Sequence, residues 1–289
     1  MALVNVGIIV TLSIVLSLTG LDRYLYNSGM NYGALAMFCL FWGMGGAFIS
    51  LLLSKTIVKW SMGVKVFGVG QGDAATQKVY TILQKVVAKS GMKKMPEFGV
   101  YQSPEMNAFA TGPSESRSLV AVSTGLVQQM TDDELEGVLA HEVAHIRNGD
   151  MVTMTLLQGI VNALVMFLAR IIAGLVTGNS REEGRHMTRF FVIMACELVL
   201  GVFGVMVTAW FSRRREFRAD FGGAQYSNPR KMLGALEALQ RRFKPLDERA
   251  PQLAAFKIST GRRTGLLALL ATHPPLEERI RALKQQTLV

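Results

Sequence analysis

Four long apolar segments, each with at most one charged residue, dominate the hydrophobic pattern of the chain. They comprise residues 2–21, 24–54, 151–180 and 190–212. Only Arg170 interrupts the third segment and only Glu197 the fourth. Because a helix needs about 20 apolar residues to cross a bilayer, the pattern predicts four transmembrane helices.

Two alternatives to this interpretation stay open. The first segment has the length of a cleaved signal peptide, although no basic stretch precedes it and no A-x-A site follows it. The last two segments would also fit a buried helical hairpin, because each contains an ionisable residue.

Arg170 and Glu197 fall at similar depths if the last two segments form an antiparallel hairpin around residues 178–189. An unpaired charge at that depth is costly, so we expect the two side chains to pair inside the bundle. Alternatively, Arg170 extends to the membrane interface and Glu197 faces a wet cavity.

The remaining segments contain shorter helix and strand patterns. Asp73 begins a helix with one apolar face that ends at Gly91, and Thr131 with Glu134 forms a capping box at the start of another. β-like runs occupy residues 97–101, 107–112 and 118–123. Further helices are predicted from the RRREFRAD run (213–220), from Asn228–Pro229 and from Pro274–Pro275. These patterns divide the chain into an N-terminal membrane pair (1–54), the first half of a soluble domain (55–150), a membrane hairpin (151–211) and the second half of that domain (212–289).

Composition agrees with a membrane protein. Half of the 289 residues are hydrophobic, and the net charge is +10. We attribute the basic excess to the positive-inside rule and expect no nucleic-acid partner, since basic residues flank the apolar segments. Those expected on the cytoplasmic side are Lys55, Lys59, Lys65, Arg147, Arg213, Arg214, Arg215 and Arg218, against Arg23, Arg181, Arg185 and Arg189 on the other side. The two cysteines, Cys39 and Cys196, lie in apolar segments and support neither a disulfide framework nor a thiolate metal site.

The run HEVAH has the spacing of a catalytic zinc site. His141 and His145 are four residues apart on the helix that starts at Thr131, so both rings project from one face. Glu142 points about 100° away from His141, which places a carboxylate near the metal without making it a ligand. Zinc acidifies the water that it binds, and Glu142 would take the proton and later pass it to the leaving amine. Two ordinary surface histidines are the alternative.

A catalytic zinc needs a third protein ligand. Glu216 and Asp220 are again four residues apart, so one can bind zinc while the other accepts the ring N–H of a ligand histidine. The alternative is a solvated helix face whose carboxylates pair with Arg213, Arg214 and Arg215.

With HEVAH, NGD, SRRREFRAD and THPPLEERI in this order around a membrane pair, the chain resembles the HtpX family of membrane-bound zinc proteases, relatives of the CAAX prenyl endopeptidases. The resemblance implies a mainly α membrane protein with four transmembrane helices and a cytoplasmic α+β zincin-like (gluzincin) protease domain with a small sheet. It implies that His141, His145 and Glu216 bind one Zn²⁺ per chain and that Glu142 is the general base. It also implies misfolded or damaged membrane proteins as substrates, in the bacterial cytoplasmic membrane. The expected partners are these substrates, the lipid bilayer and, as a further candidate, other membrane quality-control proteases.

Other residues receive expected roles beside this site. The run NAFATG resembles the edge strand that holds the substrate backbone in such proteases, so Asn107, Ala108 and Phe109 are expected to bind substrate. An ordinary turn and strand is the alternative. His273 is expected to stabilise the oxyanion, with a capping or core role as the alternative. The residues expected to orient the site are Asp150, Asp220 and Arg279.

The position of the motif places the predicted site near the membrane. His145 precedes Met151 by six residues, about 9 Å if the helix is continuous, so we expect cleavage in cytoplasmic regions close to the bilayer. Two other functions remain to be separated from a protease: a membrane scaffold or receptor with a structural zinc, and a transporter that uses Arg170 and Glu197.

Overall fold

The computed structural model describes residues 32–178, 182–243 and 269–287. Its contacts divide the chain into two units. The helical unit comprises residues 1–50 and 153–208, and the sheet unit comprises residues 51–152 and 209–289. The first apolar segment, residues 2–21, lies outside the described residues.

The described elements are mostly helical. In chain order they are α1 (Tyr32–Ser61), β1 (Lys65–Phe67), α2 (Ala74–Ser90), β2 (Glu97–Tyr101), β3 (Ala108–Thr111), β4 (Leu119–Ser123), α3 (Thr124–Gln129), α4 (Asp132–Arg147), α5 (Asp150–Thr177), α6 (Glu182–Tyr226), α7 (Pro229–Phe243) and α8 (Leu276–Thr287). A short 3-10 turn, Glu115–Arg117, precedes β4.

Three of the described helices, α1, α5 and α6, are long and apolar enough to cross a membrane. The helix predicted from the RRREFRAD run is not separate, because α6 continues through it for 45 residues in all. Residues 210–220 contain neither glycine nor proline, so nothing in this stretch ends the helix. The predicted loop at 178–189 is also shorter than expected, since α6 begins at Glu182.

Small residues bring α1 and α5 into close contact in the helical unit. A Cβ at Gly43 would lie 2.7 Å from the Ala163 nitrogen and 2.9 Å from the Gly159 oxygen. Gly159 and Ala163 form a small-xxx-small pair, the spacing that lets membrane helices approach closely.

The predicted pairing of Arg170 and Glu197 is confirmed. The Arg170 Nη1 donates to Glu197 Oε1 at 3.0 Å and to the Met166 carbonyl at 3.0 Å. Arg170 is 1% exposed and Glu197 is 2% exposed. The Arg170 guanidinium is therefore neutralised by Glu197 among the helices and does not extend to the membrane interface, which was the alternative.

The sheet has the strand order β1-β2-β4-β3. β2 and β4 run parallel, whereas β1 and β3 are antiparallel edge strands. The run predicted at 107–112 is a strand only over Ala108–Thr111. The sequence did not predict β1, because three residues are too few to show an alternating pattern.

Both faces of the sheet are covered within the sheet unit. On one face, Phe98, Val120 and Val122 join a core with buried side chains of α2 and α4. On the other face, Val64, Tyr101 and Ala121 form a smaller cluster. The predicted bounds of α2 are confirmed: the Asp73 side chain accepts from the Thr76 N–H, and Gly91 ends the helix at φ +70°.

Helix α4 carries the HEVAH run and is buried along most of its length. The capping box of Thr131 and Glu134 is present. The helix ends at Arg147, and the chain turns at Gly149 with φ +65° before Asp150 begins α5. The assumption of continuous helix from His145 to Met151 is therefore wrong.

Helices α7 and α8 complete the sheet unit. Leu236 of α7 and Leu283 of α8 lie in one buried cluster. A Cβ at Gly137 of α4 would lie 2.6 Å from the Lys231 oxygen, so α4 and α7 cross closely. This packing places the start of α8 beside α4.

Candidate metal centre

The two histidines of α4 turn one nitrogen each toward a common point. His141 Nε2 and His145 Nε2 lie 3.2 Å apart, and the ring planes are nearly perpendicular. The two rings meet because His141 and His145 are four residues apart on a helix that is capped at both ends. The local sequence therefore determines this half of the site.

Glu216 reaches the same point from α6. Its Oε2 lies 3.6 Å from His141 Nε2, and its Oε1 lies 3.5 Å from His145 Nε2. Two glycines allow the helices to come so close. A Cβ at Gly222 would lie 2.8 Å from the Ala144 Cβ, and one at Gly223 would lie 3.1 Å from the His141 nitrogen.

These three side chains fit a tetrahedral metal ion. Tetrahedral ligands about 2.0–2.2 Å from zinc lie about 3.3–3.6 Å from one another. The observed separations of 3.5 and 3.6 Å fall in that range, and the third, 3.2 Å, lies just below it. Among the described residues, His141, His145 and Glu216 form the group whose ligand atoms lie within 4.8 Å of each other. Glu216 Oε2 is also buried and has no donor aligned for a hydrogen bond.

Carboxylates hold the far side of both histidine rings. Asp220 Oδ1 lies 2.9 Å from His141 Nδ1, and Asp150 Oδ2 lies 2.6 Å from His145 Nδ1. Arg279 donates to both oxygens of Asp220, at 2.6 and 2.8 Å. Such partners fix the ring orientation and leave Nε2 to face a metal.

The electrostatics of the site favour a cation. Burial lowers the pKa of His141, but hydrogen bonds to Asp220 and Glu216 outweigh it and raise the pKa to about 9. The pKa of His145 is likewise raised, because Asp150 and Glu216 outweigh burial. The surrounding carboxylates therefore stabilise positive charge at the point where the two rings meet.

A cleft opens onto this centre. Its polar lining includes Glu142, Glu216, His273, Arg279 and Asn107. The His273 side chain is 68% exposed, and its Nδ1 lies 2.9 Å from Glu216 Oε2. Glu142 is buried and contributes to the cleft wall, so it is placed where a general base would meet a peptide.

Asn107 and Ala108 line the cleft at the start of the edge strand β3. The Asn107 N–H donates to the Ser123 hydroxyl, and the Ser123 N–H donates to the Asn107 carbonyl. The side chain of Phe109 lies elsewhere: it packs against Tyr101, 5.7 Å between ring centroids, in the cluster on the other sheet face. Alternation along a strand puts neighbours on opposite faces, so Phe109 does not present its ring to the cleft.

The apolar part of the cleft was not predicted from the sequence. It is lined by Met106, Leu126, Val138, Met232, Ala235, Leu236 and Leu239. The last four recur at helical spacing on α7, a pattern that marks one apolar face. From periodicity alone, an apolar helix face that lines a cleft cannot be distinguished from one that is buried in a core.

Comparison with known proteins assigns the family. The family model for Peptidase family M48 matches residues 73–287, a range that contains all the residues gathered at this centre. The chain belongs to Peptidase family M48. It is also 46% identical to "Protease HtpX homolog" of Methylacidiphilum infernorum, covering 99% of this chain and 97% of the relative. Identity to "Protease HtpX" of Pasteurella multocida is 47%, covering 97% and 95%.

A solved structure supports the fold of this M48 peptidase. The crystal structure of S. mikatae Ste24p superposes with a TM-score of 0.60 at 19% sequence identity. The match covers 96% of this chain and 65% of that one. Together with the three apolar helices, the family membership makes the chain a membrane metalloendopeptidase.

Proposed function

We propose that the chain is a zinc-dependent endopeptidase with a gluzincin-like site. The main support is the arrangement of His141, His145 and Glu216, whose ligand atoms are spaced as a tetrahedral metal ion requires. When bound, zinc supplies Lewis acidity, which polarises the scissile carbonyl and acidifies water at neutral pH.

The chain's own residues supply the proton transfers and hold the substrate. Glu142 takes a proton from the attacking water and returns it to the leaving amine. The free edge of β3 pairs with the substrate backbone, starting beside Asn107 and Ala108, which binds a peptide irrespective of its side chains. His273, exposed at the cleft and beside Glu216, donates to the developing oxyanion.

A structural zinc site normally closes with four protein ligands, whereas the described ranges bring three together here. This difference favours the catalytic interpretation over a scaffold or receptor. The transporter interpretation loses its support because Arg170 and Glu197 are bonded to each other and buried.

The proposed substrates are misfolded or damaged membrane proteins. The cleft places apolar side chains, among them Met232 and Leu236, next to the reactive groups, which suits segments that misfolding exposes. The relatives named Protease HtpX support the peptidase activity on which this proposal depends. Other membrane quality-control proteases are the proposed partners.

The proposed location is the bacterial cytoplasmic membrane, with four spans and the site on the cytoplasmic side. Basic side chains beside the ends of the membrane helices, such as Lys59 and Arg214, support this orientation. HEVAH stands five residues before the start of α5 at Asp150, and we therefore propose cleavage in loops and tails near the bilayer.

Digestion of casein by the full chain in detergent, with metal analysis in parallel, tests the proposal. Glu142→Gln should reduce kcat by about 10²–10⁴-fold, the usual contribution of a general base, while the zinc content stays at one per chain. Glu237→Gln, a change at a partly exposed carboxylate of α7 that pairs with Lys284 outside the cleft lining, is the matched control and should retain activity. Full activity of Glu142→Gln, or activity that persists after chelation, would refute the proposed mechanism.

A further inference from the structure

Exposed apolar side chains of the sheet unit are concentrated in one stretch of the chain. Within the described part of this unit, the large apolar side chains that are exposed are Leu52, Leu53, Ile57, Trp60, Met62, Val66, Val69, Trp210 and Leu269. All but the last two come from residues 52–69. Apolar residues scattered singly over a surface need no explanation, but this clustering does.

The end of α1 leads through a tight turn into the strand that follows it. The Val64 N–H donates to the Lys59 carbonyl at 3.0 Å, so the chain folds back directly from the helix into β1. Val58 packs against the cluster that contains Val64. Val66 lies two residues beyond Val64 and therefore on the same strand face, at the open edge of the sheet.

A glycine turn carries the most exposed aliphatic residue of this stretch. Val69 is 76% exposed and sits between Gly68 and Gly70, in a turn closed by the Gln71 N–H and the Gly68 carbonyl at 3.2 Å. Trp60, at the end of α1, is 86% exposed. We call Trp60, Met62, Val66 and Val69 the apolar ridge.

Two features indicate that lipid covers the ridge: its connection to the membrane helix α1 and the basic residues beside its tryptophans. Trp60 and Met62 lie at the end of a helix that is apolar enough to cross a membrane, and Lys65 is exposed between Met62 and Val66. Trp210, half exposed on α6, carries the Arg214 guanidinium 4.4 Å from its ring. Tryptophan beside lysine or arginine is typical of the membrane–water interface.

We propose that the apolar ridge is an interfacial lipid anchor of the sheet unit. Trp60, Val66 and Val69 lie in the headgroup region of the bilayer that α1 crosses. The anchor extends the α1 span beyond its C-terminal end, through β1 and the glycine turn.

Thiol accessibility in the full chain tests this proposal. Val69→Cys is introduced after Cys39 and Cys196 have been replaced by alanine, and the protein is placed one chain per nanodisc containing phosphatidylcholine and phosphatidylglycerol. A charged, membrane-impermeant maleimide should label position 69 about tenfold more slowly than Lys85→Cys, since burying one valine side chain is worth at least that factor. Lys85 is an exposed residue on α2 of the same unit and is the matched control. In denaturant the two cysteines should react at equal rates.

Three outcomes would overturn the proposal. The first is equal labelling of positions 69 and 85 in the nanodisc. The second is protection of position 69 that appears only when two chains share a disc, which would assign the ridge to self-association. The third is found with the double variant Val69→Asp and Val66→Cys. The charge at position 69 should release the turn from the lipid, so that position 66 is labelled rapidly. If position 66 stays as protected in this variant as without it, the protection does not come from lipid contact by the turn.

Discussion

The substitution Gly223→Ala tests how the metal centre is built, because α4 and α6 approach each other closely at Gly223. A Cβ at this position would lie 2.8 Å from the Met232 sulfur, at the end of a flexible side chain that can shift, and 3.1 Å from the His141 nitrogen and 3.3 Å from its Cα, which belong to the helix backbone. Favourable carbon contacts begin at about 3.5 Å, so Gly223→Ala requires the two helices to separate by about 0.4 Å there. Metal–ligand distances tolerate about 0.2 Å. The shift moves Glu216 away from His141, because Glu216 is on the same helix as Gly223.

The expected result is a loss of zinc affinity that exceeds the loss of stability. Overpacking costs about 1–3 kcal/mol, whereas alanine in a helix interior is about 1 kcal/mol better than glycine. The net loss in unfolding free energy should therefore be about 0–2 kcal/mol. Zinc affinity should fall by about 10–100-fold, the scale seen when the support of a metal ligand is disturbed.

Competition with a chromogenic chelator measures the affinity, and thermal unfolding in detergent measures the stability. Gly234→Ala is the matched control, because a Cβ there meets only the Glu134 side chain at 3.9 Å. This variant should gain about 1 kcal/mol and keep its zinc affinity. If Gly223→Ala binds zinc and cleaves casein as the unmodified chain does, helix separation does not control the site.

Three other substitutions have defined outcomes. Asp220→Asn weakens the support of His141 and should lower zinc affinity by about 10–100-fold in a chelator titration, whereas equal affinity would show that Asp220 does not orient the ring. Glu197→Leu removes the carboxylate that neutralises the buried Arg170 guanidinium and should cost about 3–5 kcal/mol in unfolding free energy. The double change with Arg170→Met should restore most of this loss, and an equally unstable double variant would contradict the reasoning. Burial raises the pKa of Glu136, but Lys231 and Lys89 outweigh it, so the folded pKa lies below the usual 4.5. The carboxylate therefore stabilises the fold above that value and loses its effect as pH falls through the folded pKa. Glu136→Gln should lower stability by about 1 kcal/mol at pH 7 and by less in acid, measured by thermal unfolding, and a pH-independent difference would refute the assignment.

Local signals in the sequence were sufficient for much of the fold. Asp73 and Gly91 mark the bounds of α2, and Thr131 with Glu134 marks the start of α4, because capping depends on residues only a few positions apart. The spacing of His141 and His145 likewise determines their common face. The pairing of Arg170 with Glu197 followed from a hairpin in which depth can be counted along the chain.

Long-range contacts decided what local patterns left open. Spacing alone allowed Glu216 and Asp220 to be a solvated helix face; only the packing of Gly222 and Gly223 against α4 brings Glu216 to the two histidines.

Other features depended on packing in the same way. The strand β1, the orientation of Phe109 away from the cleft and the apolar half of the cleft on α7 result from contacts between distant segments. The break at Gly149, with φ +65°, is instead a local feature that the assumption of a continuous helix overlooked, because glycine is the usual residue just after a helix end. Periodicity and capping report on a turn or two of chain. The sequence by itself therefore determined most of the elements and the ligand types, and the tertiary structure decided which of them meet.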